Sequence, residues 1–331
     1  LPTLLIRETA KAKQAQNWKF LAGLWRWARK LGFYISILTA FLAMGAAVAF
    51  SGKIQEAQLS LFYCALPLLP LLTQLKLNDA SLRGLHKGVQ GQLSDLLIRP
   101  FFLLFLSSLF LLSNSQPTPL SIMVMHLIAA IIAMTVSSTL LYRAKPLLPP
   151  ALFSPIQKSQ SRQWARSIIP LALIAGIQQL NKYTDILILG ALSTPSEVGI
   201  YRVAVQGATL ATIGLNAANM ILAPYISSLY FQSDMKTLQR IVSLGAKGTF
   251  LISLSVALTY IFLGKWILEL AFGPEYKEAY MALLILSIAQ VGNAFFGSIE
   301  IILNMTGLEK DTAYAVGAAS IINIILNYFF I

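Results

Sequence analysis

The stretch LSIMVMHLIAAIIAMTVSSTLLYRAK, residues 120–145, carries no charged side chain until it meets Arg143 and Lys145. A helix of about 20 apolar residues crosses a hydrocarbon core of about 30 Å, so its apolar part, 120–142, is long enough to span. Eight more such runs flank it, at roughly 31–50, 57–77, 95–113, 165–192, 197–226, 244–263, 278–305 and 312–331. Basic residues are loaded into every second gap. Arg7, Lys11, Lys13, Lys19, Arg26, Arg29 and Lys30 fall in 1–30, and Lys76, Arg83, Lys87 and Arg99 in 76–99. Arg143, Lys145, Lys158, Arg162 and Arg166 fall in 143–166, then Lys236, Arg240 and Lys247, then Lys310. By the positive-inside rule the loaded gaps are cytoplasmic. The comb of runs and charges predicts an all-α polytopic membrane protein with about nine transmembrane helices.

Composition agrees. The chain is 56% hydrophobic and 11% charged with mean hydropathy +0.69, outside the range of soluble domains. Its net charge of +12 is spread over short loops beside apolar runs, which is a topology signal and argues against nucleic acid. With Cys64 as the single cysteine, an internal disulfide and a cysteine-based metal site are both excluded. His86 and His126 are far apart and read as structural. No phosphate-gripping glycine loop, paired external carboxylates or metal-ligand cluster occurs in the sequence, so neither an enzyme nor a cofactor or metal site is expected.

Segment 11–30 is too charged to span, and its Trp18, Trp25 and Trp27 among Lys and Arg predict an amphipathic helix in the cytoplasmic interface. Residues 144–163 hold four prolines and a polar tail and predict a cytoplasmic linker. The expected organisation is an N-terminal lobe over 1–143, with the interfacial helix and four spans, that linker, and a C-terminal lobe over 164–331 with five spans. Three short matches recur at offsets of 222 or 223 residues: Leu1-Pro2 with Ala223-Pro224, Glu56-Ala57 with Glu278-Ala279, and Gly84-Leu85 with Gly307-Leu308. They predict a parallel repeat, and hence a complete unit of two six-helix halves, of which both lobes here would be incomplete. Leu1-Pro2 reads as mid-segment and Asn327 to Ile331 lies inside an apolar run, so a fragment of a larger chain is expected.

Polar residues inside apolar runs are costly, so their placement points to function. At 100° per residue, Gln178, Asn181, Lys182 and Asp185 fall within about 100° of arc. Arg202, Gln206, Thr209 and Asn216 fall within about 80°, as do Gln290, Asn293, Gly297, Glu300 and Asn304. Ser320, Asn323 and Asn327 stand in the last run. These stripes serve either as hydrogen-bonding glue between helices or as the lining of a hydrophilic cavity; the charges of Lys182, Asp185, Arg202 and Glu300 favour the cavity. Its expected lining is Gln178, Lys182, Asp185, Arg202, Gln206, Asn216, Gln290, Asn293 and Glu300. Asp185 and Arg202 are placed at similar depth and are candidates for an ion pair, while Lys182 and Arg202 would attract an anionic group such as phosphate.

Several stretches resemble a known family. Leu1-Pro2-Thr3-Leu4-Leu5-Ile6-Arg7-Glu8 resembles the exit of the second span of bacterial polysaccharide flippases. Thr184-Asp185-Ile186-Leu187-Ile188-Leu189-Gly190 and Glu197-Val198-Gly199-Ile200-Tyr201 resemble their seventh and eighth spans. Phe272-Gly273-Pro274-Glu275-Tyr276 resembles the loop before the tenth, and Asn304-Met305-Thr306-Gly307 resembles the segment just after that span. The family lies in the multidrug/oligosaccharidyl-lipid/polysaccharide exporter superfamily. The resemblance implies a two-lobed, six-plus-six bundle with alternating access, in the bacterial inner membrane. It implies a flippase for an undecaprenyl-pyrophosphate-linked oligosaccharide of O-antigen, capsule or exopolysaccharide biosynthesis, alongside polysaccharide polymerase machinery. A cationic cavity is implied at Lys182 and Arg202. Two alternatives stand beside it: a multidrug/cation antiporter of the same superfamily, coupled to H⁺ or Na⁺, and a membrane glycosyltransferase or polymerase. The short external gaps count against the last.

Overall fold

The computed structural model describes residues 1–49, 56–112, 118–144 and 158–330. All of their regular structure is helical: α1 Pro2–Gln14, α2 Trp18–Ala49, α3 Glu56–Ala65, α4 Leu68–Gly84, α5 Gly88–Leu93, α6 Arg99–Leu112 and α7 Pro119–Ala144. Then come α8 Lys158–Leu192, α9 Pro195–Thr209, α10 Ile213–Phe231, α11 Met235–Phe272, α12 Tyr280–Phe296, α13 Ile299–Thr306 and α14 Glu309–Phe330. Among the described residues seven helical segments are long and apolar enough to cross a membrane. α8 and α14 coincide with the two remaining apolar runs and are more polar. The chain is a multi-pass membrane protein. It divides into two compact units, Leu1–Trp164 and Ala165–Ile331. Residues 145–157 of the expected linker lie outside the described residues, and its last residues from Lys158 are already helix.

Helix ends decide where the chain turns. A helix leaves its last carbonyls unsatisfied, and a left-handed residue just past the end lets the following N–H groups fold back onto them. Four turns do this. Gln16 (φ 49°), His86 (φ 63°) and Ser233 (φ 60°) are left-handed without being glycine, and Gly307 (φ 92°) is the fourth. At the second of these, His86 N–H reaches Arg83 O at 2.9 Å and Lys87 N–H reaches Leu82 O at 3.0 Å. Ser233 and Asp234 repeat the pattern onto Tyr230 and Leu229, both at 3.0 Å. The next helices are then restarted by side-chain caps: Asn17 Oδ1 accepts from Phe20 N–H and Asp234 Oδ1 from Thr237 N–H, each at 3.1 Å. All four turns lie in or beside the gaps loaded with Lys and Arg.

These turns correct two expectations. The segment 11–30 is not one interfacial helix: the chain reverses at Ala15–Asn17, and Trp18 to Lys30 is the first part of the 32-residue α2. The gap 76–99 is not a loop but two helix ends joined at Leu85–Lys87. His86 and Gly307 are 221 residues apart, against the predicted 222 or 223, while Gln16 and Ser233 are 217 apart.

In unit 1, α4 is the hub, packed against α1, α2, α5 and α7. Leu4, Leu5, Leu21, Leu24, Leu75, Leu77 and Leu82 are almost fully buried there. Trp25 Nε1 donates to Thr9 Oγ1 at 3.0 Å. Helices approach closely where side chains are absent: a Cβ on Gly84 would fall 2.5 Å from Thr9 Cβ and 3.0 Å from Ile6 O. In unit 2, α11 is flanked by α10 and α12. Tyr260 Oη donates to Gly207 O at 2.8 Å and Ser253 Oγ to Ala211 O at 2.6 Å, tying α11 to the C-terminal end of α9 and the 3₁₀ turn Leu210–Thr212.

Two buried carboxylates within the helices of unit 1 have side-chain partners. Asp95, 6% exposed, accepts from Lys76 and pairs with Arg99 at 3.2 Å. It sits on a π-helical turn, Ser94–Ile98, wedged between α5 and α6. Asp79, 5% exposed, accepts from Ser137 Oγ on α7 at 3.1 Å.

Three measurements check this architecture. Gly84→Leu is expected to lower stability by about 1–3 kcal/mol through overpacking, read as a lower unfolding temperature in detergent. Asp95→Asn strips two cations of their shared acceptor and is expected to cost about 3 kcal/mol, where a neutral Asp311→Asn on an exposed helix start costs under about 1. The third concerns His86, whose Nδ1 lies 3.3 Å from Lys13 Nζ. Burial, then the Lys13 ammonium, push its pKa down from 6.5 to about 4. The folded chain therefore holds a neutral imidazole, and the unfolded chain takes up the proton first. Stability is full above the unfolded value and declines as pH falls from 6.5 towards 4. His86→Asn, which tolerates the left-handed turn, should flatten that decline; equal slopes in both proteins would contradict it.

Candidate functional site

In unit 2 the structure brings together five of the stripe residues that the sequence singles out, Gln178, Asn181, Glu300, Asn304 and Ser320. α8 contributes Gln178, Asn181, Lys182 and Asp185, each about one turn or less beyond the last. Gln178 Nε2 donates to Glu300 Oε2 on α13 at 2.8 Å. The other Glu300 oxygen accepts from Asn304 Nδ2, one turn on, at 3.3 Å. One turn along α8, Asn181 Oδ1 accepts from Ser320 Oγ on α14 at 2.6 Å. α8 is thus tied to α13 by an amide on a carboxylate and to α14 by a hydroxyl on an amide.

Glu300 owes its position to a break in the chain. Gly297 adopts φ 69°, ψ −147°, a conformation open to glycine, and ends α12. A Cβ there would also lie 3.0 Å from Ala246 Cβ. Ser298 is buried, and its Oγ donates to Asn219 Oδ1 on α10. α13 restarts at Ile299 with Glu300 in its first turn, where the helix dipole favours a negative charge. This corrects the single stripe predicted over 290–304. Gln290 and Asn293 lie on α12, with Asn293 Nδ2 donating to Gln290 Oε1 at 3.3 Å, and Glu300 and Asn304 lie on α13. Helical phase does not carry across the break.

Other expected residues are placed apart from this group. Asp185 accepts from Tyr201 Oη at 3.4 Å, so α9 meets it with a phenol where an ion pair with Arg202 was expected. Arg202 and Lys182 are exposed, and Lys182 Nζ stands 5.6 Å from the Tyr183 ring. Gln206 is exposed on α9, and Asn216 donates locally to Thr212 Oγ1 at 3.3 Å. α9 itself starts from a capping box: Thr194 Oγ1 accepts from Glu197 N–H while Glu197 Oε2 accepts from Thr194 N–H.

The buried carboxylates that sequence reasoning missed are in unit 1: Asp79 and Asp95, with their partners Ser137, Lys76 and Arg99. Their signal was present as oppositely charged residues four apart, Asp95 and Arg99, which favour a helix over a loop. Among the described residues no group of three or more His, Cys, Asp or Glu side chains is arranged to hold a metal ion.

Residues 170–329, just under half of the chain, match the MatE family. MatE-family proteins are transporters, not enzymes. No curated relative matches the sequence. Among solved structures, a MATE in the straight conformation matches with a TM-score of 0.81 at 13% identity, over 97% of this chain and 73% of that one. The bent conformation matches with a TM-score of 0.70 at 11% identity, over 99% and 82%. An Asp-to-Asn mutant of the Vibrio cholerae MATE transporter VcmN matches with a TM-score of 0.68 at 14% identity, over 98% and 83%. At these identities the likeness establishes the fold. The segment 170–329 thus carries the MatE family pattern, and the chain as a whole has the fold of MATE transporters.

Proposed function

We propose that this chain works as a secondary exporter of the bacterial cytoplasmic membrane, moving an organic solute by alternating access with an inward flow of H⁺ or Na⁺. The observation that carries this is Glu300. It is a half-buried carboxylate at a helix break, held by Gln178 from α8 and by Asn304 from its own helix, inside the segment that matches MatE. Loss of its charge, by protonation or by a bound cation, changes what Gln178 and Asn304 hold. The bond between α8 and α13 is therefore a physical link between ion binding and helix position. An organic-cation cargo agrees with the multidrug branch of the superfamily.

A second reading, the flipping of a lipid-linked oligosaccharide towards a polysaccharide polymerase, is favoured by one observation. Lys182 on α8 and Arg202 on α9 are both exposed, and cations of this kind suit a pyrophosphate better than a cationic drug.

Proteoliposomes carrying the protein, with an imposed H⁺ or Na⁺ gradient, separate the two. Under the first reading an organic-cation dye accumulates with the gradient, and Glu300→Gln lowers that accumulation by about tenfold or more. Unchanged gradient-driven uptake in that variant would remove Glu300 from coupling. Under the second, an undecaprenyl-pyrophosphate-linked sugar changes leaflet, and the Lys182→Gln, Arg202→Gln double variant slows it while dye transport is absent from the start.

A further inference from the structure

Away from the stripes of unit 2, unit 1 contains two adjoining cavities that share one cation. The first, about 130 Å³, has Trp25 and Arg29 of α2 on one side, Asn78 of α4 at its floor, and Ser138 and Tyr142 of α7 opposite. Asn78 is 3% exposed and donates to Ser138 Oγ at 3.1 Å, so the floor is a fixed polar surface. The second, about 270 Å³, lies between α2 and α4, bounded by Arg29, Lys30, Phe33, Tyr34 and Gln74. Gln74 Nε2 donates to Arg29 O at 3.0 Å and fixes the wall.

Charge in this region is one-sided. Arg29 spends its Nε on Trp25 O at 3.4 Å, leaving the terminal guanidinium nitrogens directed elsewhere. Among the described residues no carboxylate pairs with Arg29 or Lys30. α2 and α7 contain no Asp or Glu, and Asp79 on α4 is committed to Ser137. A guanidinium and an ammonium on adjacent residues, with hydroxyl and amide groups opposite, form a receptor for a phosphate.

Depth along α2 says which phosphate. The helix runs from Trp18 to Ala49, and its uncharged stretch 31–49 is about 28 Å long at 1.5 Å per residue. That fills a hydrocarbon core of about 30 Å and puts Arg29 and Lys30 at its cytoplasmic edge, where lipid phosphates lie. Tyr34 and Tyr142, both exposed, are amphipathic aromatics of the kind that favour this level. Beyond the second cavity, Tyr34, Leu38, Phe41 and Leu42 continue up α2 as an exposed apolar stripe along which an acyl chain can lie.

We infer that the paired cavities around Arg29 and Lys30 bind the phosphate headgroup of an anionic phospholipid of the cytoplasmic leaflet. Basic pockets between transmembrane helices on this side suit such headgroups. The site is distinct from the stripes of unit 2 and needs no assumption about the transported solute.

The test is lipid binding to the purified full chain in detergent, followed by native mass spectrometry and thermal unfolding. The probes are dioleoylphosphatidylglycerol, dioleoylphosphatidylcholine and inorganic phosphate. Phosphatidylglycerol is expected to bind and raise the unfolding temperature, with little effect from the other two. Arg29→Gln with Lys30→Gln should weaken it by about thirtyfold, at roughly fivefold for each basic residue. Equal binding of phosphatidylcholine, or undiminished phosphatidylglycerol binding in the double variant, would overturn the site. Inorganic phosphate binding as well as the lipid would overturn the lipid assignment. If the double variant does not fold, photo-crosslinking of wild type with a diazirine phosphatidylglycerol decides: adducts within 25–34 and 138–142 are expected, and adducts confined elsewhere refute it.

Discussion

Inside a bilayer no water is available to satisfy a backbone N–H or C=O, so each helix must satisfy its own, and irregular backbone has to find partners in the protein. Most of this fold stems from where that condition is relaxed. At the basic side, left-handed residues at Gln16, His86, Ser233 and Gly307 fold the next N–H groups onto the orphan carbonyls. The turns need only two or three residues. Consecutive helices consequently return as near neighbours, and pairs such as α1 with α2 and α13 with α14 are in contact. Within the spans, breaks come where the sequence removes a donor or a side chain: Pro67 between α3 and α4, Gly297 between α12 and α13.

The two units use the same device with different chemistry. Around α4, the buried carboxylates are held by ion pairs or a hydroxyl, Asp95 with Lys76 and Arg99, Asp79 with Ser137. Such pairs hold helices in register and offer little to a solute. Around α8, the partners are neutral: the amides of Gln178 and Asn304 hold the Glu300 carboxylate, and the Ser320 hydroxyl holds Asn181. A carboxylate held only by neutral donors can lose its charge without abandoning a counter-ion, as the coupling role proposed for it would require. The division of labour is therefore electrostatic.

The comb of apolar runs and basic gaps is readable because membrane insertion writes it residue by residue. Helix ends are not, since a charged residue in a sequence reads as loop unless its partner is known. Lys76 and Arg99 read as the bounds of a loop, yet both answer to Asp95 and stay helical. Asp79 can be placed only by knowing that α4 packs on α7, which brings Ser137 to it. In unit 2 the faces of α8 and of α13 are legible from helical periodicity. Their partner choice is not: Gln178 with Glu300 and Asn181 with Ser320 join residues far apart in the chain. Gly297 falls into a stripe by periodicity and is in fact the end of a helix, because that arithmetic assumes an unbroken rod.

The π turn at Ser94–Ile98 has an implication for how this chain can change length. A π segment is one residue more than the α ladder needs, so it is a place where the helix has absorbed an insertion. Deleting one residue there would restore a regular ladder and leave the helix beyond it close to its present phase, because the wider turn already takes up the surplus residue. Arg99 would stay near the face it shares with Asp95, and the stacked rings of Phe101 and Phe105 would keep their side. The same deletion in a regular stretch of α6 would instead rotate everything after it by about 100°. Length variation in this protein is therefore not confined to loops by default: at this turn a helix carries a surplus residue that it can lose while the residues beyond it keep their faces.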